Sequence, residues 1–233
     1  MKIRIKFAKY GAMKFIGHLD MMRFFQKAIR RAGIDIRYSE GFSPHQIMSF
    51  AAPLGVGIES SGEYMDIEVL SMTSTEDMKE ALNQVMVEGV KVLSVSVLPD
   101  NAKNAMASVA AASYRLKMKD GNFPIIDLDG QLRDFYEQDK IPYTKETRKS
   151  VIELDLKQGI YEIESDADGA IRMLVNASSS GNIKPTMVFE KFCEFVGMEI
   201  SQSAYQVTRL DTYTDLAKEG EEHKFAPLGS IYC

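Results

Sequence analysis

Only two of the 233 residues are cysteine, Cys193 and Cys233. One such chain can assemble neither a disulfide framework nor a multi-cysteine metal site, and a reducing compartment is expected. No stretch approaches 18 uncharged apolar residues, and the N-terminus, Met1 to Phe7, alternates charged and apolar residues where a signal segment would be apolar. The expectation is a soluble cytoplasmic protein with no membrane partner. Also missing are a Walker-type glycine loop, G-x-S-x-G, H-E-x-x-H and C-x-x-C. Cys193, beside Phe192 and Phe195 on the apolar side of an expected helix, reads as core rather than nucleophile. No carboxylate has a spacing that marks a general acid or base, so no metal or cofactor of its own is expected.

What is present is an ordinary globular composition, 45% apolar, of a length that suits one or two domains. The net charge of -5 conceals an asymmetry. Residues 1–50 hold ten basic and three acidic side chains, a local +7, which leaves -12 on the rest. Polyanion binding depends on the local field, so the basic segment is where a nucleic-acid partner would be sought.

Period-2 alternation in Lys2 to Phe7 predicts a strand with Ile3, Ile5 and Phe7 on one face and Lys2, Arg4 and Lys6 on the other. A helix is expected from His18 to Ala32, ended by Gly33, and a short strand at Ile34 to Arg37. Strands at Ile47 to Ala52 and Glu63 to Leu70 follow, then a helix capped by Thr75 through Glu88, and a strand from Val90 to Leu98. This β-α-β-β-α-β order is the ferredoxin-like arrangement. The pattern then repeats: a strand at Tyr114 to Lys119, a helix at Asp127 to Asp139, and a meander of Ser150 to Leu156, Tyr161 to Glu164 and Ile171 to Val175. A helix at Lys184 to Val196, with Pro185 in its first turn, and a strand at Ala204 to Tyr213 complete it. The expected fold class is α+β, two tandem ferredoxin-like (βαββαβ) domains with antiparallel sheets at 1–99 and 113–213, a linker at 100–112 and a tail at 214–233.

On the first helix, Arg23, Lys27, Arg30 and Arg31 fall at i, i+4, i+7 and i+8, one basic face without an acidic i,i+4 partner. The loop Tyr38-Ser-Glu-Gly-Phe-Ser-Pro-His45 follows Arg37, and Gly41 and Pro44 favour an ordered loop. Arg37, Tyr38, Phe42, Ser43 and His45 join the four helix cations as candidate nucleic-acid or partner-binding residues. Tyr38 and Phe42 are placed to stack on an unpaired base, Arg37 or His45 to read it. His18 and His45 are open to two readings, as a helix-capping and a packed loop residue, or as base and acid of a metal-independent ribonuclease. The basic face is likewise open to being a solvated face, or to meeting an acidic protein surface.

The strings Lys14 with Gly17-His-Leu-Asp20, Arg30-Arg-Ala-Gly-Ile34, Tyr38 to His45, Pro53-Leu-Gly-Val-Gly57 and Ser60-x-Gly-Glu-Tyr64 resemble the radical SAM-linked protein family. That is a domain of unknown function found beside, or fused to, a radical SAM enzyme. The resemblance implies such an enzyme as partner and assigns no reaction. A radical SAM enzyme needs three cysteines in one loop for its four-iron cluster, so here the cluster would sit on another polypeptide. The expectation is a non-catalytic accessory protein that binds a structured RNA, ribosomal or transfer RNA, on its basic N-terminal face. Tandem ferredoxin-like units also occur in CRISPR repeat-cleaving endonucleases and some pseudouridine synthases, but the glycine-rich motif of the former and a convincing catalytic aspartate motif of the latter are missing here.

Overall fold

The computed structural model describes residues 1–146, 151–218 and 220–232, the side chains of residues 145 and 146 excepted. Cys233 and Ser150, the expected start of a strand, lie outside the described residues. The protein is mixed α+β with a mostly antiparallel sheet and, among the described residues, five α-helices. None of these helices is long and apolar enough to cross a membrane. The chain divides into two compact units, Met1–Val109 with the residues from Asp211 onward, and Ala110–Leu210.

The first unit runs β1 (Lys2–Lys9), a 3-10 turn (Gly11–Phe15), α1 (His18–Arg31), β2 (Met48–Phe50), β3 (Glu59–Glu68), α2 (Thr75–Val85), β4 (Val90–Leu98) and α3 (Ala105–Ser108). Its sheet order is β4-β1-β3 with β2 on β3, every pair antiparallel, in a register that sets Ile3 opposite both Ile67 and Val97. The β-α-β-β-α-β order was legible from periodicity alone. Ile3, Ile5 and Phe7 share one core with Met21, Phe25 and Ile29 of α1 and Leu82 of α2, and the Phe7 and Phe25 rings meet edge-on at 4.7 Å.

Local details differ from expectation for identifiable reasons. The cap of α2 is Ser74, not Thr75: the Ser74 hydroxyl accepts from the Asp77 N–H at 3.0 Å. That helix stops at Val85 rather than Glu88, because the chain must turn back at Gly89, where φ is +94° and a Cβ would lie 2.7 Å from the Tyr10 carbonyl oxygen. The strand expected at Ile34 to Arg37 reduces to a single bridge, Ile36 to Val69.

The second unit contains β5 (Ala111–Met118), α4 (Leu128–Glu137), β6 (Pro142–Glu146), β7 (Val151–Asp155), β8 (Ile160–Ser165), β9 (Ile171–Asn176), α5 (Pro185–Phe195) and most of β10 (Tyr205–Asp215), which crosses the unit boundary at residue 211. Its sheet order is β8-β9-β5-β10. The expected three-strand meander is corrected here: β7 leaves the sheet and pairs with β6, a strand that the sequence reading missed. Val151, Ile152 and Leu154 on β7 are all exposed, so this hairpin has no core face to hold it in the sheet.

The largest departure is on the polar face of β1. Alternation suggested that Lys2, Arg4 and Lys6 face water, yet Arg4 is only 2% exposed. Its Nε and Nη2 donate to the two Asp66 carboxylate oxygens at 2.8 and 3.0 Å, its Nη1 to the Leu228 carbonyl, and its Nη2 also to the Lys103 carbonyl. Asp66 accepts in addition the Ala105 N–H at 2.6 Å. Lys103 and Ala105 of the expected linker and Leu228 of the expected tail are therefore bound into the first unit. Leu228 is buried with Tyr64, Ala51 and Ala105, and β11 (Phe225–Pro227) pairs with the end of β10.

Two stability predictions follow from these pairs. Asp66→Ala leaves the Arg4 guanidinium buried without its carboxylate and should cost about 3–5 kcal/mol in urea unfolding, with faster proteolysis of residues 216–232. In the second unit, Asp166 accepts from Arg115 Nε at 2.5 Å and from the Asp168 and Ala170 N–H groups. These bonds, the Arg115 one foremost, pull its carboxyl from 3.8 down to about 2 against the opposing effect of burial. A carboxylate depressed in the folded state stabilises above its unfolded pKa and ceases to as pH falls through the folded one. Stability should drop between pH 4 and pH 2, and Asp166→Asn should flatten that part of an acid-unfolding series.

Candidate nucleic-acid interface

The four cations of α1 do not share one fate. Arg23, Lys27 and Arg30 are exposed. Arg23 touches Asp20 at 3.2 Å with both side chains about two-thirds exposed, a contact worth little against a phosphate competitor. Lys27 has no ion-pair partner among the described residues, and Arg30 Nε donates to the Gln26 carbonyl at 3.3 Å. Arg31 is exposed as well and donates from Nη2 to the Val85 carbonyl at 3.1 Å, satisfying an end carbonyl of α2. That bond ties α1 to α2 and leaves the Arg31 charge on the expected four-residue face. Arg30 and Arg31 also stand in the last turn of α1, where the helix dipole favours positive charge.

The loop after α1 is ordered, as its Gly and Pro suggested. Tyr38 bridges Gln46, the Ser39 N–H donates to the His45 carbonyl at 2.8 Å, and the His45 N–H donates to Ser39 Oγ at 3.1 Å. The His45 imidazole closes the turn through Nδ1, 2.8 Å from the same Ser39 hydroxyl. Gly41 has φ +105°, and Phe42 beside it is fully exposed, with Ser43 and Pro44 also at the surface.

Gln46, which the sequence reading did not single out, ties this loop to α1. It is 5% exposed, and its Nε2 donates to the Gln26 carbonyl at 3.3 Å and to the Tyr38 hydroxyl at 3.4 Å. The loop bearing Phe42 is thereby held to the helix bearing Lys27 and Arg30. Arg37 belongs to the same stretch but pairs with Glu68 at 3.3 Å while half exposed.

The two histidines are not brought together by any common neighbour. His18, the first residue of α1, stacks edge-on against Phe50 at 5.3 Å and lines a small cavity with Phe7, Lys9, Leu54 and Glu63. It does not use its side chain to cap α1, whose cap residue is Gly17. His45 has the Ser39 turn described above.

Lys9 is one of the ten basic side chains of residues 1–50, but it is buried, and its ammonium donates to the Ile16 carbonyl at 2.6 Å. Burial pulls its pKa below the usual lysine range against the pull of the Glu63 carboxylate, itself buried and accepting from Ser60 Oγ at 2.7 Å. The signal was available: Lys9 stands two residues after Phe7, at the parity of Ile3, Ile5 and Phe7. This buried set fixes the chain between β1 and α1 and so the start of the basic helix. Among the described residues no cluster of three or more His, Cys, Asp or Glu is arranged to hold a metal ion.

A chain of the solved Cbf5-Nop10-Gar1 complex is similar over 90% of this chain and 48% of its own length, at 7% identity and a TM-score of 0.44, so this chain spans about half of that one. No curated protein matches the sequence. Residues 2–185 match the model of a family described as an uncharacterized protein conserved in bacteria (DUF2344), and the chain belongs to that family.

Proposed function

We propose that this is a cytoplasmic, non-catalytic accessory protein that binds a structured RNA on α1 and the 38–46 loop, and that it works beside a radical SAM enzyme. The observation that carries the RNA half is the joint placement, through Gln46, of fully exposed Phe42 with the exposed cations Lys27 and Arg30. Cations give affinity by displacing condensed counterions from phosphates, and an unshielded aromatic ring offers a stacking platform to a base splayed from a loop or bulge. Tyr38 is half-exposed next to the loop and adds a second ring. The enzyme partner rests on the resemblance of the Gly17 to Tyr64 motifs to the radical SAM-linked family. The sheet orders β4-β1-β3-β2 and β10-β5-β9-β8 support reading the two units as ferredoxin-like, the second carrying the β6–β7 hairpin as an insertion.

The field at this face is smaller than +7, because most cations of residues 1–50 are engaged elsewhere. The four exposed cations of α1 predict a shallow dependence of RNA affinity on salt, a log–log slope of about -3.6, at roughly 0.9 per phosphate contact. Filter binding with total cellular RNA across 50 to 300 mM salt checks this. Lys27→Ala with Arg30→Ala should reduce the slope by about two units. Phe42→Ala should weaken binding by about 1–3 kcal/mol while leaving the slope unchanged. Failure to retain RNA even at the lowest salt would sink the RNA reading.

A further inference from the structure

The second unit carries an open groove of about 610 Å³ between α5 and the segment that leads from it to β10. That size falls in the range of small-molecule sites. Phe189, Cys193 and Tyr205 are its buried apolar floor, and Glu190, Glu194 and Glu199 stand exposed at its rim. Lys191 pairs with Glu194, and Tyr143 donates to Glu190 at 3.2 Å; Glu199 has no partner among the described residues. With one ammonium against three carboxylates, two negative charges stay uncompensated.

Acidic residues at a helix surface are common and by themselves mean little. The second observation is Tyr205. Its side chain is 5% exposed, packed edge-on against Phe189 at 4.7 Å, and its hydroxyl has no hydrogen-bond partner among the described residues. A nearly buried phenol normally finds one, so this hydroxyl, on a residue lining the groove, is a donor that an acceptor in the groove can meet. Burial pushes the Tyr205 hydroxyl up to about 12 and the Cys193 thiol up to about 11, so both stay protonated at neutral pH.

We propose that this groove binds a small dicationic organic ligand that also carries a carbonyl, an amide of a basic amino acid being the simplest form. The two cationic groups would meet the glutamates, the carbonyl would accept from Tyr205, and the alkyl chain would lie over Phe189. Two cations match the two uncompensated charges, and a single acceptor matches the single open donor.

The groove is built only from residues of the second unit and shares none with α1 or the 38–46 loop, so its test is independent of RNA binding. Arginine amide is titrated into the full-length protein by ligand-observed and aromatic-resolved NMR. Citrulline amide (guanidinium replaced by a neutral urea), N-acetyl-arginine amide (one cation) and agmatine (both cations, no carbonyl) serve as comparisons. Arginine amide should shift the Tyr205 ring signals and bind about tenfold more tightly than each comparison, the scale of one charge-assisted hydrogen bond. Tyr205→Phe, which keeps the packed ring, should bring arginine amide down to the level of agmatine without changing agmatine itself, and Glu199→Gln should weaken both. Unchanged melting temperatures identify these as site effects. Equal binding of citrulline amide, equal or tighter binding of N-acetyl-arginine amide, or undisturbed Tyr205 signals at saturating arginine amide would each overturn the proposal.

Discussion

The bidentate pair of Arg4 and Asp66 decides how the first unit is built. Taking both charges out of water carries a desolvation penalty of several kcal/mol per ion, offset only when the geometry is good and the remaining donors and acceptors are satisfied. Here the guanidinium fork meets both carboxylate oxygens, its other donors go to the Lys103 and Leu228 carbonyls, and Asp66 takes the Ala105 N–H as well. One ion pair thus fastens β1, β3, the start of α3 and the chain after β11. Beside it, Asp211 accepts from Lys6 at 2.7 Å and from the Tyr64 hydroxyl at 2.6 Å, a second, partly buried anchor on the same sheet face. The Tyr64 hydroxyl is driven far above its usual range by burial and by that carboxylate, and stays a donor at any physiological pH.

These anchors change the meaning of the charge asymmetry. The local +7 of residues 1–50 is a property of the sequence order, whereas an electrostatic field belongs to the folded surface. Arg4, Lys6, Lys14 and Arg37 take their counter-charges from Asp66, Asp211, Glu59 and Glu68, all outside that segment. Lys9 is buried. Arg23, Lys27, Arg30 and Arg31 are what a phosphate would meet, which is why the functional reading narrows to α1 and leans as much on Phe42 as on charge.

What the sequence made legible was whatever is written in neighbouring residues. The 3.6-residue stripe of α1, Pro185 at the start of α5 and the alternation in β1 all describe interactions within a few positions, and these elements stand where periodicity put them. Illegible were features that depend on a distant partner. The polar face of β1 looks solvent-facing until Asp66 and Asp211, 62 and 205 residues away, are laid against it. Gln46 looks like any polar loop residue until its contact with the Gln26 carbonyl shows it joining loop to helix. Hairpin β6–β7 was misread because Val151, Ile152 and Leu154 carry β-propensity without a face to bury.

The same long separations bear on how the first unit can form. Its outer face is completed by residues beyond 210, through bonds such as the Thr212 hydroxyl to the Gly62 carbonyl, 150 residues apart, and Arg4 to Leu228, 224 apart. Closing so long a loop carries an entropy cost that grows only logarithmically with length, but contacts of high sequence separation are made late and slow folding. A fragment cut at the boundary expected from sequence, residue 99, would keep β1 to β4 and both long helices of the first unit. It would also keep Arg4 and Asp66 while losing the carbonyls and the Leu228 side chain that shield them from water. Burial is what gives that pair its leverage, so the fragment would retain the topology and lose the constraint that makes the unit a single packed body.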